Sequence, residues 1–317
     1  MKHANRLQKD YVVVLGSYVA DLAFRTQKLP AWGETYMGSG FALGPGGKGS
    51  NQAVAAARAG APVSFISKLG RDAFGDLARD LYRAEGIDTT HLFETDSPTG
   101  AAAIILDEVK GENAIIVVPG ACFELVPQEV EKARSLIAGA AVFLTQLELP
   151  IPTVACGLTL AHSLGIPTIL NPAPGCTLPE SIYPCCDYIT PNETEAEVLT
   201  GIRVRSLADA ERAANALLAR GVRNAIITLG SLGLLLKSAT TLLHLPAFHA
   251  GLVIDTTGAG DAFNGGFAAA LAENRSLVEA ARFGCAVAGL SVIRSGTARS
   301  MPSREEVDAL LLKETNP

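Results

Sequence analysis

No stretch of this chain carries Lys or Arg densely enough to track a phosphate backbone, and the balance is acidic: 26 basic against 32 acidic side chains, a formal net charge of −6. Binding to nucleic acid or to an anionic membrane draws on clustered positive charge, so neither is an expected partner. No uninterrupted apolar run reaches the roughly 18 residues needed to span a bilayer. Lys2, Arg6 and Lys9 precede the apolar Tyr11–Leu15, but that run is too short for a signal-peptide core, and no small-residue cleavage site accompanies it. The six cysteines, Cys122, Cys156, Cys176, Cys185, Cys186 and Cys285, form no CxxC pair and lie in apolar or loop segments. They read as buried thiols in a reducing cytosol, which makes a cytoplasmic protein the expectation. Internal repeats and low-complexity tracts are also missing.

What is present is a chain of 317 residues, 48% of them hydrophobic, enough for one large core; we read residues 1–317 as a single domain. Apolar runs of strand length alternate with amphipathic stretches of helical length, the pattern of a parallel sheet with crossover helices. Strands are expected at Val12–Leu15, Val63–Ser67, Val142–Gln146, Thr168–Leu170, Tyr188–Ile189 and Ala225–Thr228. Helices are expected at Asn51–Ala59, Phe74–Ala84, Gln128–Ile137, Thr153–Leu164 and Ala208–Ala219, several ended by a glycine. The fold class is therefore α/β, a parallel-stranded sheet sandwiched by helices. Residues 24–43 and 99–118 break this rhythm. The second reads as a hairpin, Ala101–Leu106 and Ala114–Val118 around Lys110-Gly111, and both segments are assigned to a small β-sheet lid.

The strongest local signal is Asp255-Thr-Thr-Gly-Ala-Gly-Asp261, followed by a helical run. Small residues let the N–H groups of Gly258, Ala259 and Gly260 converge on an anion, and the start of a helix adds its positive dipole end. With Asp261 at the lip, this suits phosphoryl transfer: amides balance charge on the moving group while a carboxylate takes the proton of the attacking hydroxyl. A glycine-rich turn with Asp261 as a helix cap is the plainer alternative.

Gly44-Pro-Gly-Gly-Lys-Gly49-Ser50-Asn51 formally matches GxGxxG. It follows a weak strand, however, and the next strand ends at Ser67-Lys68, without the acidic residue that a dinucleotide's ribose requires. Nor is it a Walker A loop, because Gly49 rather than Ser or Thr follows Lys48. Close backbone approach to a polyhydroxylated ligand fits better, with Lys48 and Asn51 donating hydrogen bonds. Asn192 and Glu195, in Pro191-Asn-Glu-Thr-Glu195, have capping-box spacing and could equally organise Mg²⁺ through waters. Thr228-Leu-Gly-Ser-Leu-Gly233 is either a nucleotide-contacting turn, through Thr228, Gly230 and Gly233, or a simple hairpin turn. Glu148, just past an apolar strand, is a sugar contact or a solvated loop carboxylate.

Taken together, Gly46-Gly-Lys-Gly-Ser-Asn51 and Asp255-Thr-Thr-Gly-Ala-Gly-Asp261 resemble the two signatures of the ribokinase-like, or phosphofructokinase B type, family of sugar kinases. The resemblance runs from Val12 to Leu311 and is strongest to the family's pentose kinases, through Gly16-Ser17, Trp32-Gly-Glu-Thr35, Asn51-Gln-Ala-Val-Ala55, Asn171-Pro-Ala-Pro174 and Pro191–Glu197. It implies ATP-dependent phosphorylation of the 5-hydroxyl of D-ribose, giving ribose 5-phosphate. Asp261 would be the general base and Gly258, Ala259 and Gly260 the anion hole. Asp21, Gly47, Lys48, Gly49, Asn51 and Glu148 would hold the sugar; Asn192, Glu195, Thr228, Gly230, Gly233 and Gly260 would serve the nucleotide and Mg²⁺. An activating K⁺ would lie by Asp255, Thr257, Ser291, Arg294, Gly296 and Ser300, several through backbone carbonyls. The lid implies a homodimer.

Two positions depart from the family pattern. Val19 stands where the pentose kinases carry a sugar-binding Asn, which opens 2-deoxyribose as an alternative acceptor. Cys285 stands where relatives often place Asn or His near the adenine. A hexose or nucleoside acceptor, a dinucleotide-dependent oxidoreductase and a catalytically dead sugar sensor are the remaining alternatives. The intact Asp261 and Gly258-Ala-Gly260 argue against the last.

Overall fold

The computed structural model describes residues 10–110 and 112–315; Lys2, Arg6, Lys9 and Gly111 lie outside them. The first part of the chain forms β1 (Val12–Leu15), β2 (Val19–Thr26), β3 (Gly40–Gly46), α1 (Lys48–Arg58), β4 (Val63–Gly70), α2 (Ala73–Ala84), β5 (Leu92–Thr95), β6 (Thr99–Asp107) and β7 (Asn113–Gly120). Then follow α3 (Pro127–Lys132), α4 (Arg134–Gly139), β8 (Val142–Thr145), α5 (Ile151–Ser163), β9 (Thr168–Leu170), β10 (Tyr188–Ile189), α6 (Glu193–Thr200) and α7 (Leu207–Ala219). The last part forms β11 (Asn224–Thr228), β12 (Leu234–Ser238), β13 (Leu242–Leu245), α8 (Ala259–Ala272), α9 (Leu277–Ser291) and α10 (Arg304–Thr315).

Nine strands make one sheet in the order β13-β12-β11-β10-β9-β8-β1-β4-β5, parallel except for the antiparallel edge of β12 and β13. β1 is an all-aliphatic strand, fully buried, as a strand covered on both faces must be. Side chains alternate across it: Val12 and Val14 join the cluster that includes residues of α1, α8 and α9, whereas Val13 and Leu15 join the one that includes residues of α5 and α7. The strand order reverses at β1, between β4 and β8. A reversal of this kind opens a crevice outside the strands' carboxyl ends, where open α/β sheets bind ligands.

The separate small sheet runs β3-β2-β6-β7, with β2 and β6 parallel and the other pairs antiparallel. It is longer than the sequence suggests. β2 starts at Val19, with three residues between it and β1, so the small sheet begins ahead of the expected residue 24 and takes in Val19 and Asp21. Alanine and glycine in β2 and β3 blur the alternation that would have marked this. The helix expected over Gln128–Ile137 is two short helices meeting at Ala133 (φ −86°, ψ 7°), with Val130, Ala133 and Ile137 all in one buried cluster. Among the described residues no helix is long and apolar enough to cross a membrane.

Candidate active site

Helix α8 begins where the glycines dictate. Gly258 precedes it in the left-handed region (φ 80°), which glycine reaches without the steric cost of a side chain. The first N–H groups of the helix have no intrahelical acceptor and point outward with the positive end of the dipole. Gly258, Ala259, Gly260 and Asp261 line the same cleft as Lys48. Asp261 occupies the first turn and is only 5% exposed.

Two amides hold that carboxylate. Asn51 Nδ2 donates to Asp261 Oδ2 at 3.0 Å and Gln52 Nε2 donates to Oδ1 at 2.9 Å. Gln52 escaped the sequence reading. Its signal was a fully buried amide in a helix whose next four residues are Ala, Val, Ala and Ala. Behind it stand Gln146, just past β8, and Asn171, just past β9, both buried and hydrogen-bonded to Gln52. Thr190 and Asn264 extend the set: Thr190 Oγ1 donates to Asn264 Oδ1 at 2.7 Å, and Asn264 Nδ2 donates to the Gly260 carbonyl at 2.8 Å.

The start of α1 is drawn tightly against the end of β1. A Cβ on Gly49 would meet Gly16 Cα and Ser17 N at 2.5 Å, so neither helix nor strand could close up with a larger residue there. This contact turns the Lys48 N–H onto Glu148 Oε2 at 2.8 Å, and Ser17 Oγ donates to the same oxygen at 2.5 Å. Glu148 is thus an anchored acceptor rather than a free loop carboxylate. Burial lowers the Lys48 ammonium, but the attraction of Asp261, Glu148 and Glu195 outweighs it and lifts its pKa. Burial, with repulsion from Glu148 and Asp261, pushes Asp21 up to about 6. Asp21 packs directly over Gly46, where a Cβ would collide with its carboxylate.

On the far wall, Asn192 and Glu195 form a complete capping box at the start of α6. Asn192 Oδ1 accepts from Glu195 N at 2.8 Å and Glu195 Oε2 accepts from Asn192 N at 2.9 Å. The structural half of the two readings of this motif is therefore present, and both side chains also line the cleft. Burial raises the Glu195 carboxyl, against the hydrogen bond from Asn192 and the attraction of Lys48. Thr228 lines the cleft and Gly230 to Gly233 form the turn of the β11–β12 hairpin. Cys285 sits in α9 inside a hydrophobic cluster with Phe248 and Val287.

Asp255 ties two loops together: Oδ1 accepts from Thr257 N at 2.9 Å and Oδ2 from Gly296 N at 3.0 Å. Burial raises its pKa, but these bonds outweigh that and lower it overall. Ser291 Oγ and Ser300 Oγ each donate to a backbone carbonyl, at 2.8 Å in both cases, and Arg294 is paired with Glu306. These side chains are engaged, so any cation here would be held chiefly by main-chain oxygens.

The chain is similar to known proteins along most of its length. The pfkB family carbohydrate kinase model covers residues 9–304. The chain is 40% identical over 295 residues to a ribokinase of Haemophilus influenzae, covering 93% of this chain and 96% of that one. It is 35% identical over 301 residues to a deoxyribokinase of Salmonella typhi, covering 95% and 98%. The solved structure of Arabidopsis thaliana ribokinase complexed with ribose and ATP superposes with a TM-score of 0.91 at 32% identity, covering 96% of this chain and 99% of that one. This chain belongs to the pfkB family of carbohydrate kinases.

Proposed function

We propose that the protein transfers the γ-phosphoryl group of ATP to the 5-hydroxyl of D-ribose. The observation that carries this is the buried Asp261 carboxylate in the first turn of α8, beside outward-facing glycine amides and in the same cleft as Lys48. Asp261 takes the hydroxyl proton as that oxygen bonds to the γ-phosphorus. The bond to the β-phosphate oxygen breaks and ADP leaves. The Gly258–Gly260 amides and the Lys48 ammonium balance the charge spread over the moving group. Asp21, Lys48, Asn51, Glu148 and the backbone of Gly47 and Gly49 orient the sugar. Asn192, Glu195, Thr228 and the Gly230–Gly233 turn serve the nucleotide, with Cys285 toward the adenine. No group of three or more His, Cys, Asp and Glu among the described residues could hold a metal ion directly. Asn192 and Glu195, polar and lining the cleft, would meet a Mg²⁺ carried on the phosphates through water, which would add further charge balance.

2-Deoxyribose is the second reading, and Val19 favours it. Val19 is 6% exposed and packs at the base of the lid, where a Cβ on Gly100 would meet its Cγ1 at 2.7 Å. It offers no hydrogen bond to a ring hydroxyl, and an unpaired buried hydroxyl costs about 1–3 kcal/mol, roughly ten- to a hundredfold in kcat/KM. The test is kcat/KM for ribose and 2-deoxyribose on the wild type and on Val19→Asn, with the 5-phosphate identified as product. A wild-type preference for ribose that Val19→Asn leaves unchanged removes the deoxyribose reading. Failure with both sugars removes the first reading as well.

The raised Asp21 gives a pH dependence of known sign. Only when ionised does its carboxylate accept charge-assisted hydrogen bonds from sugar hydroxyls through both oxygens, so kcat/KM for the sugar falls as pH drops through about 6 while kcat/KM for ATP falls less. Folding runs the other way: a folded-state pKa above the ordinary 3.8 means Asp21 favours the fold most when protonated, and this contribution is lost as pH rises through about 6. Asp21→Asn should lower sugar affinity and remove that acid limb. An unchanged limb in the variant contradicts the assignment.

Potassium should raise the rate over a bulky organic cation, because an ion held by the carbonyls of the two loops that Asp255 joins would stiffen the adjacent anion hole. Equal rates in both salts, with the protein shown free of potassium, refute this. The lid also leaves Phe41, Ile116 and Val118 about 60% exposed or more, beside the unpaired edges of β3 and β7. We infer a homodimer closed through this sheet. Light scattering should give twice 33.0 kDa; a monomer at assay concentration overturns it.

A further inference from the structure

The polar set behind Asp261 has a direction that can be followed atom by atom from the backbone outward. The Thr190 carbonyl, fixed at the end of β10, accepts from Asn171 Nδ2 at 3.2 Å. That bond turns Asn171 Oδ1 toward Gln52, whose Nε2 donates to it at 3.0 Å. Gln146 Nε2 donates to Gln52 Oε1 at 2.6 Å. The Gln52 amide is therefore pinned at its nitrogen by the anchored Asn171, with Gln146, whose own Oε1 is buried without a hydrogen-bond partner, donating at its oxygen: flipping Gln52 would set its oxygen against two acceptors. Its remaining N–H can go only to Asp261 Oδ1, 2.9 Å away.

Gln52, fully buried, approaches the carboxylate from the core. Asn51 holds the other oxygen and itself leaves Oδ1 buried without a partner, so its amide has no second anchor among the described residues. Of the two donors, only Gln52 is fixed independently of any ligand. Neither adds charge to a cleft that already contains Lys48, Glu195 and Asp261. The room for this arrangement is itself provided: Gln146 Oε1 lies where a Cβ on Gly16 would stand.

We propose that Gln52 is a positioning residue for the transfer reaction, locking the rotation of the Asp261 carboxylate from behind, with Gln146 and Asn171 as the amides that lock Gln52. The proposal rests on the reading of Asp261 as general base. Misplacing a reacting group by about 1 Å can cost on the order of a hundredfold, so Gln52→Met, which keeps length and loses the amide, should lower kcat about ten- to a hundredfold. KM for ATP should stay within about twofold, since uniform binding is untouched.

The decisive measurement places Gln52→Met in wild-type and Asp261→Asn backgrounds. Without the carboxylate there is nothing left to position, so in the second background the change should alter kcat by no more than about twofold. An equal fold-loss in both backgrounds, or none in the wild type, overturns the proposal. Full activity of Asp261→Asn alone sinks the base assignment instead, which keeps the two failures apart. Should Gln52→Met fail to fold, Gln146→Met serves in its place: it releases the Gln52 oxygen, with Asn171 still on the nitrogen, while leaving Gln52 and Asp261 intact. It should give a smaller loss that likewise vanishes with Asp261→Asn, and an unchanged kcat overturns the relay.

Discussion

Asp261→Asn should lower kcat about a hundred- to ten-thousandfold, the usual worth of a positioned general base, with ATP affinity nearly unchanged. The substitution keeps shape and removes the proton acceptor. It also has a structural consequence that a purely chemical view would miss. Both Asp261 oxygens accept from amide N–H groups, of Asn51 and of Gln52. An amide at position 261 can turn its oxygen to only one of them and must set its own N–H₂ against the other. A buried donor left facing a donor costs about 1–3 kcal/mol, so the variant should also melt lower than the wild type despite its matching size. Steady-state kinetics with a melting curve check both parts. More than about a tenth of wild-type kcat contradicts the base assignment.

Gly265→Ala carries the second large effect, on stability and activity together. Gly265 lies in α8 against α1, and a Cβ there would meet the Gln52 carbonyl oxygen at 2.6 Å and Ala56 N at 2.8 Å. Both are backbone atoms of a buried helix, so no side chain can swing aside. The two helices must part. Overpacking of this kind costs about 1–3 kcal/mol, which lowers Tm by several degrees in a chain of this size. The same movement separates Asn51 and Gln52 on α1 from Asp261 on α8, and a shift of about 1 Å at reacting groups can cost on the order of a hundredfold in rate. Thermal unfolding and kcat on the purified variant check this; a wild-type Tm with wild-type kcat would show that the helix crossing tolerates the methyl group.

Much of this was legible in the chain itself, and the reasons differ from part to part. The core strands were visible because a strand buried on both faces must be apolar throughout, as Val12–Leu15 is. The start of α8 at Gly258–Asp261 was visible because a left-handed glycine followed by small residues at a helix start is a local demand that leaves a local trace. The lid's true start at Val19 was hidden, since a strand of small residues on a half-exposed sheet carries little alternation. The break at Ala133 was hidden too, because no glycine or proline marks it. Gln52, Gln146 and Asn171 were hidden for a deeper reason. Gln146 and Asn171, at the ends of β8 and β9 and 94 and 119 positions from Gln52, meet at the Gln52 amide, which alone of the three reaches the carboxylate, and only the sheet's strand order brings them together. Each reads alone as an unremarkable amide.

The most direct test of the central claim is a coupled ADP-release assay on the wild-type protein with ATP over a panel of pentoses, hexoses and nucleosides. kcat/KM should peak at ribose or 2-deoxyribose, with the product phosphorylated on the 5-hydroxyl. A peak at a hexose or a nucleoside, or no ADP release with any member of the panel, would contradict it.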